Sequence, residues 1–208
     1  MKKCKNCKKP FYPIKTTQTC CGLNCALKVA EKKEGKLELR RAERAELKEM
    51  AIRLKTLGDY KKDLQVEVNK LVRLIDEGCS CLACGATNTK VDASHFRGVQ
   101  AWPTLRYHLF NIYSGCAQCN SYRGGNLLKF REGLLREFGD ETMNFIDDLP
   151  TIYPSLKLMQ HEVIEKIQLT REAVKDVKKL NKTDKLPRSI NYRIELRKKY
   201  NSFLAIYN

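Results

Sequence analysis

Paired cysteines constrain this chain more than any other feature. Eight of the ten cysteines fall into two sets. Cys4, Cys7, Cys21 and Cys25 are spaced C-x2-C-x13-C-x3-C, and Cys81, Cys84, Cys116 and Cys119 form two C-x2-C knuckles thirty-one residues apart. A knuckle turns both sulfurs to one side, and four thiolates close a tetrahedron that leaves no position open, so each set is expected to hold a structural Zn²⁺. Cys20 in place of Cys21 gives a looser spacing, and Cys79 is expected to stay free. Disulfides would require an oxidising compartment. Residues 1–25 lack the apolar core of a secretory signal, so the expected location is the cytoplasm.

The charge balance points to a polyanion. Forty Lys and Arg against 24 Asp and Glu give a net charge of +16. Residues 1–27 carry six lysines and no acid, and residues 175–208 carry ten basic residues against three acids. Such ends attract phosphate and gain from counterion release, which makes DNA the expected partner. An anionic membrane surface fits less well, because no segment pairs its lysines with a continuous aromatic-rich apolar face. No apolar run approaches the roughly 20 residues of a membrane-spanning helix.

Periodicity supplies the elements. Residues 27–57, rich in Ala, Glu, Lys and Leu, read as a long exposed helix, with a break at Gly58-Asp59. Leu64, Val68, Leu71, Val72 and Ile75 make one stripe of a second helix over 60–76, stopped by Gly78. Short β-favouring pieces follow at 89–96 and 109–113. Asn126 reads as the cap of a helix to Phe138, with Leu127, Leu128, Phe130, Leu134, Leu135 and Phe138 inward and Gly139 ending it. A short helix over 141–148 is expected to stop at Pro150, a long one to run over 155–180, and a basic one over 188–207 to interleave Tyr192, Tyr200, Phe203 and Tyr207. Trp102-Pro103 reads as a core and turn element. Four regions result: a finger (1–27), a helical arm (28–78), a zinc-stabilised core (79–138) and a C-terminal helical region with a basic tail (139–208).

Between and after the knuckles lie Val91-Asp92-Ala93-Ser94-His95-Phe96, then Asn111-Ile112-Tyr113, then Cys119-Asn120-Ser121-Tyr122-Arg123-Gly124. A His on a short strand, an Asn before the second knuckle and an Asn opening the next helix resemble the HNH nucleases. Cysteine-bearing members of that family end their motif in C-x2-C-N-x2-K/R-G, which Cys116 to Gly124 matches. With the N-terminal Cys4 cluster, the helical spacer, the Leu105-Arg106-aromatic piece and C-x2-C-N-x5-N, nearly the whole chain resembles the NinG/Rap family of phage recombination endonucleases. That resemblance implies an α-rich α+β protein. A small ββα-metal core (His-Me finger, treble-clef-like) would carry the knuckles, with long helices on both sides. It also implies cleavage of branched recombination intermediates, Holliday junctions and D-loops, in the host cytoplasm.

Phosphodiester hydrolysis needs a base active near neutral pH and a cation on the anionic transition state. His95 is the expected base. By the resemblance Asn120 is a ligand of a catalytic Mg²⁺ or Mn²⁺, a hard ion that suits oxygen donors. Asn111 would pin the loop and orient the imidazole through a backbone contact, and Arg123 would clamp the phosphate. Many HNH enzymes place Asp or His directly before the catalytic His, where this chain has Ser94. The nearest carboxylate, Asp92, is three residues from His95 and would reach its face only across a bulge. That gap keeps a second class open, a non-cleaving zinc-finger DNA-binding or recombination-accessory protein. A homodimer, through 28–77 or 155–180, and contacts with recombination proteins are further expectations.

Overall fold

Helix α1 (Leu23–Arg53) owes its length to composition rather than packing. Its Ala, Glu, Lys, Leu and Arg residues are strong helix formers and no proline interrupts them. Its apolar side chains share no buried face, and Leu37, Leu47 and Met50 are all exposed. The computed structural model describes residues 1–87 and 90–207, so the first residue of the piece read as β-favouring over 89–96 lies outside the described residues. The chain is helix-rich with two small two-stranded sheets and divides into two units, Met1–Lys55 and Thr56–Asn208. No helix among the described residues is long and apolar enough to cross a membrane.

In the first unit β1 (Lys2–Lys3) pairs antiparallel with β2 (Pro10–Phe11), and α1 follows. Its only buried apolar residues among those described are Cys4 and Cys20. A segment that polar has no apolar core to fold around.

The division between the units falls inside the segment read as one helical arm. Helix α2 (Leu57–Ile75) begins with a capping box: the Asp59 N–H donates to Thr56 Oγ1 at 3.2 Å and the Thr56 N–H to Asp59 Oδ2 at 3.1 Å. Gly58-Asp59 is therefore the first turn of α2 and not a break; the break lies just before it. Thr-x-x-Asp was the sequence signal for that start. Leu64, Val68, Leu71, Val72 and Ile75 are fully buried, as their spacing predicts, and pack α2 against α4 (Gln160–Thr183) and α5 (Ile190–Leu204).

A hairpin separates this cluster from a second one. Strand β3 (Val91–His95) pairs antiparallel with β4 (Ile112–Cys116) in unbroken register, from Val91↔Cys116 to His95↔Ile112. Successive side chains face opposite ways. Ala93 and Ile112 join the α2 cluster, and Tyr113, on the other face, joins a cluster with Leu82, Phe130, Leu134 and Phe138; Cys116, where β4 ends, belongs to that second cluster as well. Residues 109–111, read as the start of a strand, form a 3₁₀ turn instead.

Helix α3 (Leu127–Ile152) closes over the second cluster. It is bent where a break was expected, at Gly139 (φ 76°, ψ 174°), but Pro150 does not stop it. Leu127, Leu128 and Leu135, read as inward, are exposed, because the knuckle covers only the stripe of Phe130, Leu134 and Phe138. Two further expectations change. Residues 155–159 precede α4 without joining it, and Trp102 is 40% exposed, stacked 5.4 Å from the Arg97 guanidinium rather than in a core.

Candidate functional site

Both cysteine sets assemble. Within each, the four Sγ atoms lie within 4.8 Å of one another. Cys7–Cys21, Cys21–Cys25 and Cys84–Cys116 are 3.7, 3.6 and 3.7 Å apart. A tetrahedron of Zn–S bonds about 2.3 Å long has edges of about 3.8 Å, so both sets fit zinc. Hydrogen-bond donors already face the sulfurs: the Cys21 N–H on Cys4 (3.4 Å), the Cys119 N–H on Cys116 (3.5 Å) and the Asn126 amide on Cys119 (3.4 Å). The Cys21 and Cys7 N–H groups pull the Cys4 thiol down to about 5, toward the thiolate a metal needs. Asn126, read as a helix cap, opens α3 in a left-handed conformation (φ 49°) and spends its side chain on sulfur instead. Cys20 and Cys79 join neither set, and burial pushes the Cys79 thiol up to about 11.

His95 ends β3 and faces α2, in a cleft shared with Lys62, Gln65, Val99 and Arg106. Its Nε2 lies 3.0 Å from the Arg106 carbonyl and 3.5 Å from Gln65 Nε2. A carbonyl only accepts, so Nε2 carries the proton and Nδ1 keeps its lone pair. Burial holds the imidazole below its ordinary value, with the Arg106 charge acting the same way against the pull of the Arg106 carbonyl. Such a histidine is neutral near pH 7.

Asn111 is fully buried and ties the loop after β3 to itself. Its Oδ1 accepts from the Arg97 N–H at 2.8 Å, and its Nδ2 donates to the Arg97 and Leu105 carbonyls at 3.1 and 3.2 Å. The loop so closed delivers the Arg106 carbonyl to His95.

The other candidates lie elsewhere. Asn120 sits in the π turn Gln118–Tyr122 that carries Cys119, and its Oδ1 accepts from the buried Ser94 hydroxyl at 2.9 Å. Adjacent strand residues point apart, so His95 faces α2 while Ser94 and Asn120 face the knuckle. Asp92, two residues before Ser94, shares its face; β3 has no bulge to turn it toward His95. Arg123 is exposed beside Ser80, Cys84 and Lys129 and takes no part in the His95 cleft. His108 is packing: 2% exposed, among the rings of Phe110, Phe145, Tyr153 and Tyr207. His161 is exposed. Lys62 and Gln65 carry no motif and were not legible as site residues.

A family model described as "Bacteriophage Lambda NinG protein" matches residues 1–182, a span that includes both cysteine sets and the whole hairpin. The chain belongs to the NinG family. It is 31% identical over 163 residues to protein ninG of Escherichia phage lambda, covering 70% of this chain and 79% of the relative. Protein ninG of Escherichia phage 933W is 32% identical over 161 residues (70% and 80%), and that of Salmonella phage P22 31% over 163 (70% and 80%). No solved structure matches. In this NinG-family chain α5 and the residues after it lie beyond the matched span, yet Tyr207, three residues past the end of α5, reaches the His95 loop. The Tyr207 hydroxyl donates to the Thr104 carbonyl at 2.8 Å and accepts from the Tyr107 N–H at 3.0 Å, bracketing Arg106.

Proposed function

We propose that this chain is a divalent-metal-dependent DNA endonuclease acting on branched recombination intermediates such as Holliday junctions and D-loops. The observation that carries the reading is the placement of His95: its Nε2 lies 3.0 Å from the Arg106 carbonyl in a cleft lined by Lys62 and Arg106, and burial favours the neutral ring, which leaves Nδ1 to accept a proton. Nδ1 would take the proton of a water attacking the phosphorus while the 3′ oxygen leaves. Asn120, with Ser94 and Asp92 on the same face of β3, offers the oxygen donors for Mg²⁺ or Mn²⁺. When bound, that cation would neutralise charge developing on the phosphate. A phosphodiester crossing the end of β3 would meet both faces. The hairpin followed by α3, with a cysteine set that would hold zinc between them, supports the ββα-metal reading of the core. Because a junction has paired strands to cut, two copies of the chain acting together is part of the proposal; a monomer by sedimentation, with and without junction DNA, would count against it.

The test compares wild type with His95→Ala on labelled four-way junction and matched duplex, with Mg²⁺, with Mn²⁺ and with no added divalent ion. Cleavage that needs the ion and is lost in His95→Ala, while binding persists, supports the reading.

One observation favours a second reading, a DNA-binding recombination-accessory protein that does not cut. Ser94 stands before His95 where a ligand is expected, and its hydroxyl occupies the Asn120 carbonyl oxygen. Among the described residues no cluster of His, Cys, Asp and Glu beyond the two cysteine sets could hold a metal. Junction binding without cleavage under any of these conditions would select this reading.

A further inference from the structure

Arg106 stands apart from the other arginines of its unit. Its carbonyl orients His95, but its side chain forms no ion pair among the described residues: the neutral Tyr107 hydroxyl stands beside the guanidinium where a carboxylate would, and Nε is buried without a hydrogen-bond partner. Other half-buried or buried arginines of this unit behave differently: Arg97, Arg188, Arg193 and Arg197 each meet a carboxylate. An arginine partly withdrawn from water is unfavourable unless an anion completes it.

Arg106 lines two clefts at once. One holds His95 with Lys62 and Gln65; the other holds Lys61, Thr104 and Tyr107. Among the described residues no acid lines either cleft, in a chain with 24 acids. The cleft beside Arg123 is mixed, with Glu132 and Glu137 among its walls. Arg106 is also held in place. Tyr207 bonds both of its flanks, Asn111 holds the Leu105 carbonyl, and the Tyr107 hydroxyl donates to the Lys61 carbonyl at 3.1 Å, which ties the loop to α2. A preorganised guanidinium is the donor best matched to a phosphate, because its N–H groups fork onto two oxygens.

We infer that Arg106, flanked by Lys61 and Lys62 of α2, is the phosphate-binding site of this chain, gripping the nucleic-acid backbone beside His95 in place of the exposed Arg123. That the phosphate so held is the scissile one rests on the endonuclease reading; that a backbone phosphate binds there does not.

The experiment measures binding of labelled four-way junction by fluorescence anisotropy, without added divalent ion, over a range of salt. Full-length, zinc-loaded wild type is compared with Arg106→Gln, Arg106→Lys and Arg123→Gln, with zinc content and helicity confirming the fold of each. Arg106→Gln should weaken binding on the order of tenfold near 0.1 M salt and reduce the slope of log K against log salt by about one. Arg106→Lys should recover part of both, since it keeps the charge and loses the fork, and Arg123→Gln should change little. Wild-type affinity and slope in Arg106→Gln, or their loss in Arg123→Gln alone, would overturn the assignment. Should Arg106→Gln fail to fold, Lys61→Gln with Lys62→Gln must lower the slope, or the assignment falls. Cleavage assays on the same samples separate the two proposals. If wild type never cuts but Arg106→Gln still loses the phosphate contact, the nuclease reading fails and the binding site stands. If wild type cuts and Arg106→Gln binds and cuts equally well, the reverse holds.

Discussion

Asp76, 2% exposed at the end of α2, is the anion around which the larger unit is organised. It accepts from Arg193 at 3.0 Å, from Arg197 at 2.7 Å and from the Ser114 N–H of β4 at 3.0 Å. Burial alone would raise its pKa, but Arg197 and Arg193 overcome that and hold the carboxylate below its usual range. Asp76→Asn would leave two buried guanidinium groups short of countercharge, and urea melts should show a loss of about 3–5 kcal/mol. His108 works in the opposite sense. Burial pushes it down to about 4, and its Nδ1 has no hydrogen-bond partner. The unfolded chain takes up this proton near pH 6.5 and the folded one only near 4, so the residue favours folding above 6.5 and that advantage drains away as pH falls through the window. Between pH 7 and 4 the wild type should lose about 3 kcal/mol that His108→Phe retains. Parallel stability curves for the two proteins would contradict this.

At the scale of elements, the β3–β4 hairpin is a partition whose two faces belong to two apolar clusters, and its contacts set where α3 and α5 must lie. A Cβ on Gly133 of α3 would meet the Leu82 carbonyl oxygen at 2.0 Å, so the first knuckle rests directly on the helix backbone there. Gly133→Ala must push them apart. Overpacking of that kind costs about 1–3 kcal/mol, and zinc should leave the second set faster under a chelator than in wild type. Tyr207 holds the Arg106 loop from the far end of the chain. Tyr207→Phe keeps the ring against His108 but deletes both hydrogen bonds. NMR titration should then find the His95 pKa altered while the helical signal is unchanged; an identical titration curve would mean the loop is fixed without Tyr207.

For the whole molecule, the two units differ in what the cysteines support. The second set sits inside an apolar cluster, with Cys81, Cys116 and Cys119 all buried. The first has Cys7 and Cys21 exposed and almost no core around it. A chelator should therefore remove zinc in two phases, the fast one absent in Cys7→Ser, with melting of the larger unit following the slow one. A single phase of release would show that the sets are not independent.

What the sequence determined by itself was local. Cysteine spacing fixes which thiols meet, because a knuckle is a turn of four residues, and a 3.6-residue stripe fixes the buried face of α2 because it repeats within one element. The start of α2 was equally local, written in Thr56 and Asp59. The tertiary structure decided the rest. The His95 cleft draws on residues 62, 65, 95, 99 and 106, and the Asp76 network joins side chains more than a hundred positions apart. Nothing in the pattern near Arg106 marks it as lacking a carboxylate, just as nothing near Arg193 and Arg197 marks them as having one. Whether a charge is satisfied depends on which distant helix packs against it, and only the folded chain brings those helices together.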